Sequence, residues 1–400
     1  MLDYLALDDE YTAEERQVRD AAREFVDREV APDVGDWFED GRFPEHLVAA
    51  MGDLDFYAPT LSWGDLPGLS ATAYGLLMRE LEAGDSAVRS MASVQGALVM
   101  WPIAEYGSEL QRERWLPGLA SGDLVGCFGL TEPEHGSDPA SMETSAEAEK
   151  DGDGYRLSGT KTWITNAPIA DVALVWARLR TDGRTSPSGR DDAGDGPVRG
   201  FLVETDADAV ETPEIDGKLS MRASSTGQVV LNDVRVSEDA VLPGVEGMKG
   251  PLSCLTQARY GIAWGAVGAA RDCFEVAREY ATDREQFGGP IGRFQLQQEK
   301  LAEMATQITT AQLLADRLAE LKERGELRPQ QVSMAKRNNV RTARDVARTA
   351  REMLGANGIT TDYSPMRHAA NMETVYTYEG THDIHTLILG EDLTGLSAFE

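Results

Sequence analysis

Hydrophobic and polar positions alternate with a helical period in the first part of the chain. In "TAEERQVRDAAREFV", Thr12 and Glu15 have the spacing of a capping box, and the apolar residues that follow return to one face. "ATAYGLLMRELEAG" and "SAVRSMASVQGALVMWPIAEYG" predict two consecutive helices that are interrupted at Gly84 and Asp85. The pattern therefore predicts an N-terminal α-helical domain over residues 1–123.

The middle of the chain changes to short β-rich runs. These runs are "VALVWARL", "RGFLVET" and "GQVVLNDVRV", and they are bounded by Gly, Asp and Asn. "GYRLSGTKTWITNA" predicts a hairpin with turn residues at Ser158 and Gly159. Because no long helices alternate with these strands, we expect an antiparallel barrel or sandwich over residues 124–236. Within it, "RTDGRTSPSGRDDAGDGPV" predicts a flexible surface loop.

A helical period returns from about residue 237 to the end of the chain. One apolar stripe steps by three and four through Leu301, Met304, Ile308, Ala311, Ala315 and Leu318. "RPQQVSMAKRNNVRTARDVARTAREML" predicts a further helix, which "LGANG" ends. Residues 237–400 are therefore predicted to form a helical bundle, and the fold class is α+β.

The charge of the chain is strongly unbalanced. Asp and Glu total 68 against 38 Lys and Arg, a net charge of −30, while 42% of residues are hydrophobic. A surface of this kind disfavours nucleic acid and anionic membranes as partners. It suits a salt-rich cytoplasm, where screening reduces self-repulsion. We therefore hypothesise a halophilic source, which requires that stability rise with salt concentration.

The cysteines and the N-terminal residues indicate less about the protein than its charge does. Cys127, Cys254 and Cys273 are too few and too separated for a disulfide framework or a zinc site, and we expect them to be buried. The first residues lack the basic and apolar regions of a secretory signal. No run approaches the roughly 18 apolar residues of a membrane span. We expect a cytoplasmic protein.

Three stretches have residue types that suit ligand binding. In "CFGLTEPEHGSDPASMET", Thr131, Gly136 and Ser137 suit an anionic or strongly polar ligand. Because no phosphate-binding fingerprint is present, the spacing by itself favours an ordinary surface loop. In "KTWITNA", Trp163 is an aromatic residue on a predicted strand, and such a residue is more often part of the core than of a cofactor site. In "TDREQFGGPI", Arg284 predicts a helix end with an exposed salt bridge.

Arg89 lies in an otherwise apolar, small-residue stretch. Arg89 and Ser93 are four residues apart and share one helical face. Such an arginine is either paired within the protein or available to an anionic ligand. Glu82, seven residues earlier, is a candidate partner.

The stretch "TYEGTHDIHT" contains two of the five histidines of the chain. His382, Asp383 and His385 suggest a metal site and hence a metal-dependent hydrolase, although this set is short of ligands. The alternative is that Thr381 caps a helix and that Glu379 lies just before it. A partly buried carboxylate at such a junction would have a raised pKa and suit a general base.

Long motifs, in order, resemble the acyl-CoA dehydrogenase family. They include "VRSMASVQGALVMWPIAEYGS", "GCFGLTEPEHGSDPASMET", "GTKTWITNAPIADV", "DREQFGGPI", "REMLGANGI" and "TYEGTHDIHTLILG", and they cover nearly the whole chain. Within the family, the resemblance is closest to the subgroup that acts on glutaryl-CoA. The loop near residues 181–197 is an insertion relative to that pattern.

The resemblance implies non-covalently bound FAD between a helical domain, a β-domain and a four-helix bundle. It implies that Glu379 removes the α-proton of an acyl-CoA and that a hydride passes to flavin N5. Arg89 would bind the terminal carboxylate of the substrate bidentately. Decarboxylation to crotonyl-CoA and CO₂ would follow, with electrons passing to an electron-transfer flavoprotein and with a homotetrameric assembly.

The resemblance also assigns contacts residue by residue. The implied substrate contacts are Glu82, Arg89, Ser90, Ser93, Ser137, Leu252, Arg259, Tyr378 and Gly380. The implied FAD contacts are Phe128, Leu130, Thr131, Gly136, Ser137, Trp163, Ile164, Thr165, Arg284, Phe287, Gln295, Glu352, Met353, Leu354, Gly355, Ala356, Thr381 and Phe399. No metal is implied. A dehydrogenase that does not decarboxylate, or that accepts another short acyl-CoA, is the alternative within the family.

Overall fold

The computed structural model describes residues 3–149, 154–180 and 195–398. Helices form both ends of the chain and a β-sheet lies between them, so the predicted α+β class is confirmed. Phe399 and most of the predicted insertion loop lie outside the described residues.

The N-terminal region is helical, as the hydrophobic period predicts. Its helices are α1 (Ala13–Phe25), α2 (Val34–Asp40), α3 (His46–Gly52), α4 (Ala71–Gly84), α5 (Ser86–Ser93), α6 (Trp101–Tyr106) and α7 (Glu109–Ser121). The capping box of Thr12 and Glu15 is present at the start of α1. The break at Gly84 and Asp85 is also confirmed, and the Asp85 side chain caps α5. A π-helical segment, Val94–Met100, connects α5 to α6.

The middle region forms one sheet of seven strands. They are β1 (Gly126–Gly129), β2 (Ser145–Ala148), β3 (Tyr155–Thr165), β4 (Val172–Arg180), β5 (Asp195–Glu204), β6 (Val210–Glu211) and β7 (Thr226–Val236). The sheet is mixed rather than wholly antiparallel, because β4 pairs in parallel with both β1 and β2. The alternation of polar and apolar residues along a strand indicates which face of the sheet a side chain occupies. It does not indicate whether the neighbouring strand runs parallel or antiparallel.

The predicted hairpin at Ser158 and Gly159 is wrong. Residues 155–165 form the single strand β3, and the register with β7 shifts between Leu157 and Gly159. Gly159 has φ +148°, and a Cβ there would lie 2.4 Å from Thr144 Oγ1. The glycine therefore marks a bulge under close packing rather than a turn.

The C-terminal region consists of long helices and one small hairpin. They are α8 (Lys249–Asp283), β8 (Glu285–Gln286), β9 (Gly289–Pro290), α9 (Gln295–Glu323), α10 (Pro329–Met353), α11 (Ser364–Thr377) and α12 (His382–Thr394). The predicted stripe is confirmed: five of its six side chains are buried, and Leu301 packs against the core that contains Met304, Ile308 and Ala311. Gly355, with φ +61°, follows the end of α10.

Close helix packing brings the N-terminal and C-terminal regions together. A Cβ on Gly268 of α8 would lie 1.8 Å from the carbonyl oxygen of Arg79, so α4 and α8 approach at backbone distance. Glycine is the residue that permits such an approach. One hydrophobic core includes residues of all three regions, and all three cysteines are buried as expected. Among the described residues, no helix is both long and apolar enough to cross a membrane.

Candidate active site

The junction between α11 and α12 contains the candidate base. Thr381 caps α12, as predicted, because its hydroxyl accepts a hydrogen bond of 3.1 Å from the Ile384 N–H. Glu379 has φ +52° and Gly380 has φ +90°. A Cβ on Gly380 would lie 3.0 Å from His385 Nε2 and 3.1 Å from Arg259 Nη2. The position therefore requires glycine, and the tight junction fixes where the Glu379 side chain begins.

Two cations bind three successive carbonyl groups at this junction. Arg259 Nε donates to the Glu379 carbonyl oxygen at 2.7 Å. Lys336 Nζ donates to the carbonyl oxygens of Tyr378 and Gly380 at 2.9 and 2.8 Å. Sequence reasoning assigned Arg259 through the family resemblance but missed Lys336, which lies 42 residues from Tyr378 in the chain.

The Glu379 carboxylate combines partial burial with an available oxygen. The residue is half-buried, and its Oε2 is buried without a hydrogen-bond partner among the described residues. Burial raises the pKa of Glu379, although the charges of Arg89, Arg259 and Lys336 act to lower it. A carboxylate with a raised pKa and an unpartnered oxygen has the properties of a general base.

Arg89 forms a buried group with Glu82 and Tyr378. Its Nε donates to Glu82 Oε2, its Nη2 donates to the Tyr378 hydroxyl, and the guanidinium lies 5.7 Å from the Tyr378 ring centre. Arg89 and Glu82 are both 0% exposed, so the predicted partner is confirmed. Burial alone would lower the pKa of Arg89, but Glu82 raises it above the ordinary value. The side chain therefore carries a permanent positive charge.

Arg89 retains a donor that nothing in the described residues accepts. Its Nη1 is buried without a hydrogen-bond partner in this part of the chain, and the same holds for Ser93 Oγ and Glu82 Oε1. Ser90 is also buried. Unpaired buried polar atoms are costly, and in a group of this kind they indicate a site for a polar ligand.

A second bulge in β3 turns Trp163 outward. The register with β7 shifts between Lys161 and Ile164, and Trp163 has φ +60°. Its side chain is 61% exposed, so the prediction of a core position is wrong. The Thr162 N–H donates to the Thr131 carbonyl oxygen at 2.9 Å, which places Thr131 beside the tryptophan. The bulge thus joins the two motifs that sequence reasoning singled out separately.

A buried ion pair supports that same loop and was missed from the sequence. Lys161 Nζ lies 2.7 Å from Glu132 Oε1 and donates to the Leu130 carbonyl oxygen at 3.1 Å. Glu132 also accepts hydrogen bonds from the N–H groups of Glu143 and Thr144. Burial lowers the pKa of Lys161 to about 8, while Glu132 acts to raise it. The pair fixes both ends of the loop that carries Gly136.

The remaining predicted residues fall into three groups. Phe128, Leu130, Ile164, Met353 and Leu354 have buried side chains, which leaves only their backbone for a ligand. Exposed positions are Gly136, Ser137, Leu252, Arg284, Phe287, Gln295, Glu352, Gly355 and Ala356. Thr165 is half-buried.

The β8–β9 hairpin forms a separate candidate surface. Phe287 is 89% exposed with φ +51°. Arg284 ends α8, as predicted, by donating its N–H to the Tyr280 carbonyl oxygen at 2.9 Å. Lys300 near the start of α9 pairs with Glu352 at 3.2 Å, which places the end of α10 beside the first turns of α9.

The two histidines of the junction have packing environments. His382 stacks on Tyr376, with ring centres 4.4 Å apart. His385 is fully buried, and burial lowers its pKa to about 2, so it is neutral. Among the described residues, no group of three or more His, Cys, Asp or Glu side chains could hold a metal ion.

The chain belongs to the acyl-CoA dehydrogenase family. The N-terminal, middle and C-terminal domains of that family match residues 12–123, 127–234 and 246–394. The chain is therefore an oxidoreductase of this class.

Three known proteins illustrate the similarity. A glutaryl-CoA dehydrogenase structure from Mycobacterium smegmatis, solved in complex with FADH2, is 46% identical, with a TM-score of 0.94 over 100% of this chain and 99% of that one. Glutaryl-CoA dehydrogenase of Desulfococcus multivorans is 33% identical over 98% of this chain and 99% of its own length. Bovine mitochondrial short-chain specific acyl-CoA dehydrogenase is 33% identical over 94% and 89%.

Proposed function

We propose that this protein is an FAD-dependent dehydrogenase that converts glutaryl-CoA to crotonyl-CoA and CO₂. The observation that carries this proposal is the buried Arg89, which is paired with Glu82 and with Tyr378. Tyr378 directly precedes Glu379 in the chain, so the arginine lies near the proposed base. A simple acyl chain offers nothing to a buried guanidinium. A dicarboxylic acyl chain offers a carboxylate, which matches its planar fork.

The exposed side chains fit FAD. An isoalloxazine ring needs an aromatic surface with hydroxyl groups nearby, and Trp163 is an exposed indole next to Thr131. A Cβ on Gly136 would meet nothing within 4 Å, which leaves space along this loop. The first amides of α12, behind Thr381, suit a diphosphate. When bound, FAD supplies the two-electron acceptor for a hydride from the substrate β-carbon.

Glu379 acts as the base in this proposal. Its unpartnered Oε2 takes the α-proton of the thioester, and the electron pair of that C–H bond forms the Cα–Cβ double bond as the β-carbon gives up its hydride. Enolate character develops on the thioester carbonyl during this step. The developing negative charge on the thioester oxygen needs hydrogen-bond donors. Within the described residues, the backbone N–H of Glu379 donates no hydrogen bond and is available for this role.

Arg89 anchors the far end of the acyl chain. Its free Nη1 and the free hydroxyl of Ser93 bind the terminal carboxylate, and Glu82 and Tyr378 hold the guanidinium in place. Ser90, Ser137, Leu252, Arg259 and Gly380 complete the proposed substrate contacts. After oxidation, the C–C bond to the carboxylate breaks, its electron pair forms a dienolate that is delocalised into the thioester, and protonation gives crotonyl-CoA. An electron-transfer flavoprotein then receives the electrons.

A second candidate keeps the fold and stops earlier. Glu82 and Tyr378 already occupy two donor groups of Arg89, and the short-chain specific relative is as similar to this chain as the Desulfococcus protein is. This candidate is a dehydrogenase that oxidises glutaryl-CoA without decarboxylation, or that oxidises a short monocarboxylic acyl-CoA.

The proposed domains are residues 1–123, 124–236 and 237–400. The three family matches at 12–123, 127–234 and 246–394 support this division. In this arrangement, α4, α5, α8 and α10 position the substrate site, and β3 positions Trp163.

Anaerobic bleaching of the bound flavin by a panel of CoA thioesters tests the proposal. Glutaryl-CoA should bleach the yellow protein fastest, with crotonyl-CoA and CO₂ found by mass spectrometry, and butyryl-CoA should be slower. Glu379→Gln should bind the thioester but bleach at least about a hundredfold more slowly, the range for loss of a general base. Glutaconyl-CoA as the end product would favour the second candidate, and a colourless protein would contradict both.

A further inference from the structure

The end of α11 presents three backbone carbonyl groups without helical partners. Tyr378 is the C-cap of α11, and only Glu379 and Gly380 separate it from the cap of α12. Glu379 lies in the left-handed region with φ +52°, which costs of order 1 kcal/mol for a residue other than glycine. Such a conformation persists only where the surroundings impose it.

Lys336 holds two of the three carbonyl groups around the left-handed residue Glu379. The residue is 1% exposed on α10, and its single ammonium group donates to the carbonyl oxygens on both sides of Glu379. Arg259, 8% exposed on α8, donates to the carbonyl oxygen of Glu379 itself. Three successive carbonyl groups are therefore held by two buried cations from two different helices.

Several charged or titratable groups surround the Glu379 carboxylate. They are Tyr74 on α4, Arg89 on α5, Arg259 on α8, Lys336 on α10, Tyr378 at the junction, and His385 on α12, which lies against the Glu379 backbone. Of these, the three cations lower the pKa of Glu379 against the effect of burial. Burial lowers the pKa of Lys336 to about 7, so its ammonium group is charged in weakly acidic solution.

We propose that Lys336 is a positioning residue for the Glu379 base. By binding the carbonyl oxygens of Tyr378 and Gly380, it fixes the left-handed backbone from which the carboxylate projects, and its charge keeps that carboxylate ionised. Arg259 assists at the middle carbonyl. This inference rests on the proposed role of Glu379 and adds a residue that does not touch the substrate.

Removing the ammonium group has two separable effects. Without its two hydrogen bonds, the junction loses its fixed geometry and the rate of proton abstraction falls. Without its charge, Glu379 loses one of the cations that lower its pKa, so the pKa rises. Because only the ionised carboxylate accepts a proton, activity is then lost at a higher pH than in the wild type.

Lys336→Met and a matched control separate these effects from a loss of stability. Lys218 is a second lysine that binds loop oxygens: its Nζ donates to Met221 O at 3.1 Å and to Thr226 Oγ1 at 2.9 Å. Burial lowers its pKa to about 8. Lys218→Met therefore removes a comparable ammonium group from a different loop.

The measurement is the pH dependence of kcat/KM for glutaryl-CoA and for its α,α-dideuterated form, on the flavin-loaded enzyme. In Lys336→Met, kcat/KM should fall about tenfold or more. The midpoint of the acid limb of the pH profile should move upward by about 1 pH unit. The deuterium isotope effect should increase, because proton abstraction becomes more rate-limiting. In Lys218→Met, the acid limb and isotope effect should stay at their wild-type values.

A folded Lys336→Met enzyme with the wild-type acid limb and isotope effect would overturn the proposal, as would equal shifts in Lys218→Met. If Lys336→Met does not fold, Lys336→Gln decides, because it keeps N–H donors, lacks the charge and must still raise the acid limb. Glu379→Gln tests the underlying function separately. If that variant keeps the wild-type rate, the proposed base is wrong, whatever Lys336 does.

Discussion

At the scale of single residues, Arg89 serves both the fold and the proposed specificity. Its pairing with Glu82 balances a charge that would otherwise be buried alone, and loss of one partner of such a pair costs about 3–5 kcal/mol. The same guanidinium keeps one buried nitrogen without a partner within the described residues. Substitutions that retain the charge therefore separate binding from folding better than truncation does.

Replacing Arg89 by lysine should affect glutaryl-CoA selectively. The charge opposite Glu82 is retained, but one ammonium group cannot keep the bonds to Glu82 and Tyr378 and still present a third nitrogen, as Arg89 does with Nη1, to the substrate carboxylate. Loss of one charge-assisted hydrogen bond, about 1.5–3 kcal/mol, lowers kcat/KM for glutaryl-CoA by roughly 10- to 100-fold. The value for butyryl-CoA should change much less. Steady-state kinetics with both substrates measure the ratio.

Arg271→Lys is the control for this variant. Arg271 is another largely buried arginine, paired with Glu80 at 3.3 Å. Its replacement should leave the ratio of the two kcat/KM values unchanged. Equal losses for glutaryl-CoA and butyryl-CoA in Arg89→Lys would refute the anchoring role of Arg89.

At the scale of elements, one irregularity in β3 decides the environment of a tryptophan. Trp176 on the regular strand β4 is fully buried, whereas Trp163 at the bulge of β3 is 61% exposed. The two residues have the same side chain and lie in the same sheet. The shift in register turns one of them from the core toward the surface, because a single extra residue reverses the face that follows it.

Alanine at these two positions should have opposite consequences. Trp163→Ala should change the free energy of unfolding of the flavin-free protein by less than about 0.5 kcal/mol. It should weaken FAD binding about tenfold, which corresponds to about 1.4 kcal/mol. Trp176→Ala should destabilise the protein by about 3–5 kcal/mol through a core cavity. Denaturant titration and fluorescence titration with FAD measure the two quantities, and unaltered FAD affinity in Trp163→Ala would exclude the tryptophan from the flavin site.

At the scale of the whole molecule, the net charge of −30 opposes the compact state. Raising the salt concentration from 0.1 to 1 M shortens the Debye length from about 10 to about 3 Å, so repulsion between surface carboxylates is screened. We therefore predict that the melting temperature rises by several degrees between 0.1 and 1 M KCl. Sucrose at matched osmolality serves as the control for non-ionic stabilisation. A melting temperature that KCl does not raise would remove the support for a halophilic source.

A second prediction at this scale concerns assembly. Phe287 and Leu296 near the β8–β9 hairpin are 89% and 72% exposed, and Leu393 at the end of α12 is 80% exposed. Large exposed apolar side chains commonly mark contact surfaces between proteins. We propose a homotetramer, so light scattering should give about four times the chain mass of 43.6 kDa. Leu296→Ser should lower that mass, whereas Leu110→Ser, at an exposed residue of α7, should not. A monomeric wild type would contradict the proposal.

Much of the site could be predicted from local sequence. Thr381 was identified as a cap and Glu82 as the partner of Arg89, because both interactions lie within one or two helical turns. Lys336 and Lys161 could not be identified in this way, since their partners are 42 and 29 residues away. Strand composition gives no indication of a bulge, so the local sequence favours a core position for Trp163 and only the family resemblance assigns it to FAD.

The helical ends, the β-rich middle, the acidic composition and the position of Glu379 just before a helix cap can all be inferred from the amino-acid sequence alone. These follow from periodicity, capping and charge, which act between neighbouring residues. Three other features are visible only in the folded chain: β4 pairs in parallel with β1 and β2, Trp163 faces outward, and two distant cations hold the carbonyl groups around Glu379. These three features depend on which distant segments pack together, because burial and charge at the base are properties of that packing.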